Sequence, residues 1–240
     1  MKQRLDRLLV ERALAESREK AQALIMAGEV LVEGQKAGKP GHSVDASSRI
    51  EITGRAPYVS RAGVKLAAAL DSFGIAAASL TCLDIGSSTG GFTDCLLQRG
   101  AQRVHAVDVG AGQLDWKLRN DPRVVVHEGL NARYLELRDI GEPVDLATLD
   151  VSFISVTLIL PAVVRLLRPA GRMVILVKPQ FEVGKGQVGK GGIVRRAELH
   201  REACMRVDQA VKSLGFESSI TDSPILGAEG NKEFLLYAHH

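Results

Sequence analysis

Residues 83–93 read LDIGSSTGGFT. Apolar residues run up to Asp84, a glycine-rich turn follows, and a second apolar pattern begins at Phe92. Strand, tight turn and helix in that order open a parallel α/β unit, and glycine lets the backbone approach a ligand at the carboxyl end of the strand. The same alternation recurs outward from this stretch. Apolar strand runs occupy 81–85, 103–108, 123–126, 144–149 and 172–177, and helical patterns occupy 61–73, 91–98, 155–167 and 195–213. This predicts an α/β fold, a Rossmann-like doubly wound sheet with helices on both faces.

Before residue 60 the pattern changes. Leu5, Leu8, Leu9 and Ala13 share one helical face within 3–13, and Ala21, Leu24 and Ile25 share another within 18–27, where Gly28 stops the helix. Short β-patterned runs follow in VLVEGQKAGKPG (30–41) and RIEI (49–52). The chain therefore divides into a small α+β domain over 1–58 and a larger one over 59–240, with APYVS (56–60) as the linker. With 240 residues, 45% of them hydrophobic and 25% charged, disorder is excluded. The charged opening MKQRLDRLLVERA carries no secretory core, and no apolar run approaches the roughly 18 residues of a membrane span, so a cytoplasmic protein with no membrane partner is expected. Cys82, Cys95 and Cys204 lack metal-ligand spacing and read as buried thiols. A net charge of +3 permits an acidic partner without demanding one.

The loop at 84–93 narrows the ligand. A phosphate loop needs lysine directly after its last glycine, and Phe92 stands there instead. The dinucleotide fingerprint G-x-G-x-x-G is also missed, because Ser88 occupies the place of its second glycine. What remains, Asp-x-Gly-x-x-x-Gly-Gly, resembles the S-adenosylmethionine loop of class I methyltransferases. On that resemblance Asp84, Gly86, Ser87, Ser88, Gly90, Gly91 and Phe92 form the cofactor loop, with Asp84 equally able to support the loop from within. Asp108 closes the next strand and suits the two ribose hydroxyls, while Glu128 and Asn131 in HEGLNARYL are polar groups for the adenine or ribose.

Four ionisable residues are left unexplained by periodicity: Lys65 in SRAGVKL, Asp150 in DLATLD, Lys178 in MVILVK and Glu233 in GNKEFLLY. Singly they read as a solvated helix lysine, a strand-end cap, a surface lysine and an edge-strand charge. Together they supply what transfer to a hydroxyl oxygen needs, a base on its proton and carboxylates to hold that base. A lysine serves as such a base when burial or a second ammonium favours its neutral form.

The order Lys65, Asp150, Lys178, Glu233 is similar to the K-D-K-E tetrad of the FtsJ/RrmJ-type ribose 2′-O-methyltransferases. The chain as a whole resembles the TlyA family of rRNA 2′-O-methyltransferases, often labelled hemolysins. Carrying the resemblance are RLDRLLVERALAESREKAQALIMAGEVLVEG, YVSRAGVKL, LDIGSSTGGFTDCLLQRGA, LDVSFIS, VKPQFEVGKG and SPILGAEGNKEF, which span 4–234. The resemblance implies Lys178 as base, Lys65 and Glu233 positioning it and the hydroxyl, and Asp150 beside the transferring methyl. It implies cytidine ribose in ribosomal RNA or ribosomal subunits as acceptor, and no obligatory protein partner is inferred.

The N-terminal pattern resembles an S4 RNA-binding module, in which Arg4, Arg18 and Lys20 would dock phosphates of a folded RNA. Composition alone does not select RNA here, since residues 1–60 hold ten Lys/Arg against eight Asp/Glu. The region 178–201 is more basic, with six Lys/Arg and two acids in a glycine-rich loop, and Lys185, Lys190, Arg195 and Arg196 read as a phosphate clamp. Phe153 and Phe181 flank the site and suit contact with a base. Three other functions compete. A base N-methyltransferase would share the fold, and DVSF (150–153) distantly echoes an Asp-Pro-Pro-Tyr element, but the prolines are missing and two lysines are present. A pore-forming hemolysin needs a secretion signal or a long amphipathic segment. A non-enzymatic RNA-binding or assembly factor would work without its cofactor site.

Overall fold

A computed structural model describes residues 2–52, 57–227 and 230–240, apart from the side chain of Lys185. The chain forms two compact units, Met1–Pro57 and Tyr58–His240. Ala56, the first residue of the expected linker, lies outside the described residues.

The first unit runs β1 (Lys2–Arg4), α1 (Leu5–Glu11), α2 (Arg18–Met26), β2 (Val30–Val32), β3 (Gln35–Lys36), β4 (Ser43–Asp45) and β5 (Ile50–Ile52). The helices form where the apolar spacing predicts them. Ser17 caps α2 by accepting the Lys20 N–H at 3.2 Å. Leu5, Leu8 and Leu9 of α1 pack on Ala21 and Ile25 of α2 and on Val30 of β2. Two small antiparallel sheets, β1 with β4 and β3–β2–β5, enclose this core.

The second unit runs α3 (Ala62–Ser72), β6 (Thr81–Ile85), α4 (Gly91–Gln98), β7 (Arg103–Asp108), α5 (Trp116–Arg119), β8 (Val124–Glu128), α6 (Leu137–Ile140), β9 (Val144–Leu149), α7 (Leu160–Val164), β10 (Leu167–Val177), α8 (Pro179–Glu182), α9 (Ala197–Ser213), β11 (Glu217–Asp222) and β12 (Phe234–His239). Its seven strands are ordered β11-β12-β10-β9-β6-β7-β8. The five strands expected from apolar runs are the parallel ones. Successive side chains of a strand point to opposite faces, and the core divides accordingly. Leu83, Ala147 and Ile175 face α9, whose Leu199, Ala203, Val207 and Val211 repeat every four residues. Cys82, Leu146 and Val174 face α3 and α4 through Leu66, Leu70 and Leu96.

Two expectations are corrected. The helix over 155–167 is broken into a 3₁₀ turn at Val156–Leu158 and the short α7, because Leu167 already belongs to β10. Glu233 does not border an edge strand: β12 lies between β10 and β11 and is antiparallel to both. Cys82 and Cys95 are buried, and burial pushes the Cys82 thiol up to about 12. Among the described residues no His/Cys/Asp/Glu cluster suits a metal ion, and no helix is long and apolar enough to cross a membrane.

Candidate active site

The glycine-rich turn after β6 is shaped by three close approaches. Gly86 has φ +81°, and a Cβ there would sit 2.4 Å from the carbonyl oxygen of Asp150. The Asp150 N–H in turn donates to the Ile85 oxygen at 2.9 Å, so the ends of β6 and β9 are joined. Gly90, at φ +96°, starts α4 where a side chain would meet Leu118 at 2.3 Å. A Cβ on Gly91 would meet the Ser60 hydroxyl at 2.2 Å. Only glycine fits these positions.

Beside this turn opens a cavity of about 450 Å³, lined among others by Gly86, Ser88, Asp108, Asn131, Asp150 and Phe153. That is within the usual range for a small-molecule site. Asp108, at the end of β7, accepts the Ser88 N–H at 2.8 Å and the Gly110 N–H at 2.7 Å, which fixes its carboxylate at the cavity wall. Asn131 reaches the same wall and accepts the Arg133 N–H at 3.1 Å. Ser87 is buried within the turn.

Three residues expected at the cofactor make their contacts within the protein, Asp84 in the loop-supporting role already open to it. The Asp84 carboxylate is fully buried beneath the loop, accepting from the Thr93 hydroxyl at 2.7 Å and the Thr148 hydroxyl at 3.2 Å. Burial pushes its carboxyl up to about 7, against the opposing hydrogen bond from Thr93. Phe92 is a core side chain packed with the α3–α4 layer. Glu128 pairs with Arg119 and accepts the Gly112 N–H at 2.8 Å. Each therefore supports the loops that frame the cavity.

The tetrad resolves into two ion pairs at the same end of the sheet. Lys65 on α3 reaches Glu233 at 2.5 Å, with side chains 9% and 3% exposed. Lys178 reaches Asp150 at 2.6 Å and donates to the Ser152 hydroxyl at 2.9 Å. Strand register explains the convergence. Val177 of β10 pairs with Phe234 of β12, so the next residues outward, Lys178 and Glu233, leave adjacent strands at one level. Asp150 follows β9, the neighbour of β10 on its other side. Ser152 escaped the sequence reading, and its only signal was a hydroxyl two residues beyond Asp150. Phe153 is 93% exposed and held at φ +66°, a conformation costly for a bulky side chain, with its ring 5.3 Å from that of Phe181.

The cations expected to meet RNA are placed unevenly. Arg4 donates twice to the buried Asp6, at 3.0 and 2.8 Å, and Arg18 donates once at 3.0 Å, with Gln22 adding a bond at 2.9 Å. These bonds, that from Arg4 foremost, hold the Asp6 carboxyl well below the usual range. Lys20 pairs with Glu16 at the surface. Lys190, Arg195 and Arg196 are exposed, while the Lys185 side chain lies outside the described residues. Their loop is tethered, not free: the buried Asn231 accepts the Val194 N–H and donates to the Gly192 oxygen, both at 2.9 Å.

Comparison with known proteins adds lineage to this geometry. The FtsJ-like methyltransferase family matches residues 58–240, and the S4 domain matches residues 3–50. The 16S/23S rRNA (cytidine-2′-O)-methyltransferase TlyA of Mycobacterium tuberculosis is 48% identical, over 98% of this chain and 88% of its own length. Bacillus subtilis YqxC, which carries an rRNA methyltransferase name, is 49% identical over 99% of this chain and 86% of its own. A solved structure of a hemolysin-named protein from Streptococcus thermophilus is 44% identical, with a TM-score of 0.77, covering 99% of this chain and 88% of that one.

Proposed function

Because the chain belongs to the TlyA family, with an FtsJ-like methyltransferase region behind an S4 domain, we propose that it methylates a ribose 2′-hydroxyl of ribosomal RNA, at cytidine, from S-adenosylmethionine. The observation that carries this reading is the pair of lysine–carboxylate contacts, Lys178–Asp150 and Lys65–Glu233, at the strand ends beside a nucleoside-sized cavity.

S-adenosylmethionine supplies an electrophilic methyl group on a sulfonium. The cavity's chemistry fits it: Asp108 offers acceptor oxygens for a ribose diol, Asn131 offers an amide for the adenine edge, and Gly86 and Ser88 of the turn line the space beside them. Lys178, as the free amine, takes the proton of the 2′-hydroxyl as its oxygen turns nucleophilic. Asp150 and Ser152 aim that amine. Lys65 and Glu233 orient the hydroxyl and oppose displacement of Lys178. Phe153 and Phe181 offer ring faces to the target base, and base–aromatic stacking contributes about 1–3 kcal/mol.

Residues 1–58 act as the RNA-binding domain and 59–240 as the catalytic one. The outward faces of Arg4 and Arg18, with Lys20, meet phosphates on the first, and Lys185, Lys190, Arg195 and Arg196 do so on the second. The partner is ribosomal RNA or a ribosomal subunit, in the cytoplasm. Transfer of radiolabelled methyl to subunits and naked rRNA, followed by alkaline hydrolysis, tests the proposal. Label in a hydrolysis-resistant dinucleotide is expected, because a 2′-O-methyl blocks cleavage at its own nucleotide. Label on free mononucleotides would mean base methylation and would overturn the ribose assignment.

A further inference from the structure

The segment Asp150–Val156 is docked on the segment Lys178–Glu182 at three levels. At the cavity Lys178 holds Asp150 and Ser152, and farther on the rings of Phe153 and Phe181 meet. The third level is a buried acid that the reaction does not use. Glu182, the last residue of α8 and 2% exposed, accepts the Ser155 hydroxyl at 2.5 Å and the Val156 N–H at 2.8 Å. A carboxylate in the core costs several kcal/mol unless its oxygens are satisfied, and both Glu182 oxygens are spent on this one neighbouring segment. Glu182 lies four positions beyond Lys178, and the residues it grips lie five and six beyond Asp150. Between the two grips stands Phe153, held at φ +66° with its ring in solvent. A strained residue persists only where its surroundings over-determine it, and the two grips supply that constraint.

We infer that Glu182 is a positioning residue for the methyl transfer: it clamps the Asp150–Val156 loop so that Asp150 and Ser152 keep the Lys178 amine in line. This rests on the ribose-methylation reading above. Glu182→Ala frees the loop and orphans the Val156 N–H. Glu182→Gln restores both contacts, since its oxygen accepts from Val156 and its amide donates to the Ser155 hydroxyl. Ser155→Ala removes one of the two Glu182 contacts, together with the Ser155 hydroxyl's bonds to Thr157 at the start of the 3₁₀ turn.

Two measurements on the full-length chain test the clamp. In hydrogen–deuterium exchange without substrate, Glu182→Ala should raise exchange in 150–156 at least tenfold, leaving the strands unchanged. In single-turnover methylation it should lower the rate about 30-fold or more, with the dissociation constants for S-adenosylmethionine and RNA within about threefold. Ser155→Ala should show a smaller loss in the same direction, and Glu182→Gln should recover most of the rate. Faster exchange with an unchanged rate would overturn the positioning role, and unchanged exchange would overturn the clamp itself. A Glu182→Gln rate as low as that of alanine would also count against it. Failure of the ribose reading is seen separately, as wild-type protein that places no label on ribose.

Discussion

Each unit of this protein gathers two cations around buried carboxylate, and the two gatherings are built in opposite senses. At Asp6 the acid is fully buried, while Arg4 and Arg18 are each 44% exposed and reach in from outside. At the strand ends the lysines themselves are sunk, each holding its own acid, and one pair opens on the cavity. The chemistry of the side chains matches this division. A guanidinium stays charged and can bridge an acid while keeping donors free for a phosphate. An amine, unlike a guanidinium, can exchange its proton with a substrate hydroxyl, the task proposed for Lys178. The Asp6 cluster thus ties a fold together with its positive side turned outward, whereas the proposed reaction is what assigns the lysine pairs a chemical task.

The sharpest break in that comparison would come from Lys178. Lys178→Ala should lower single-turnover methyl transfer by about 10³-fold, within the span of general base contributions, with cofactor affinity changed less than threefold. Lys178→Arg should fail equally, because guanidinium keeps its proton. An active arginine variant would reduce the strand-end pair to a tie like that at Asp6.

Next in size is the contrast between two buried acids. Asp84 sits among hydroxyls and its carboxyl is pushed up to about 7, above its unfolded value, so the folded state retains a proton that the unfolded chain has lost. Its contribution to stability is full below the ordinary carboxylate range and is lost as pH rises through about 7. Asp84→Asn should remove that slope and, at pH 8, stabilise the second unit by about 3 kcal/mol, measurable by urea titration at pH 5 and pH 8. A parallel pH dependence in both proteins would refute the buried proton.

Asp6 carries the opposite sign. Its arginines depress its titration, so its contribution is present above the ordinary carboxylate range and fades as pH falls below it. Asp6→Asn should cost the first unit about 2 kcal/mol at neutral pH, seen as faster hydrogen exchange in 2–52 with 58–240 unaffected. Smallest is Asp108→Ala, which should weaken S-adenosylmethionine binding about tenfold, or about 1.4 kcal/mol, with the stability of Asp6 and Asp84 variants as reference. An unchanged dissociation constant would remove Asp108 from the cofactor.

Apolar runs made the parallel strands and the strand–turn–helix at 83–93 legible, because burial on both faces leaves a continuous hydrophobic record. β11 left almost none: ESSITD has one apolar residue, Ile220, and it joins the sheet edge by pairing with β12. The tetrad was legible as strand-end charges, but its division into pairs was not, since Lys65 and Glu233 are 168 residues apart and meet only through the sheet order. For Asp84 the sequence left loop support and cofactor contact open, and for Phe92 it gave only the motif. Their motif positions are right, yet one side chain points under the turn and the other into the helix layer. Glu182 and Asn231 bind backbone groups of distant loops, a role that no residue spacing records.

The place of β12 has a further consequence for how the enzyme is made. Inserted between β10 and β11, it delivers Glu233 from late in the chain to a lysine that is synthesised early. Contacts of such long span form only after a large loop has closed, and chains emerge from synthesis vectorially. A nascent chain can close the β6–β9 half of the sheet while it still lacks the partner of Lys65. A chain that still lacks residue 233 already contains the sequence of all five parallel strands but not the acid that pairs with Lys65.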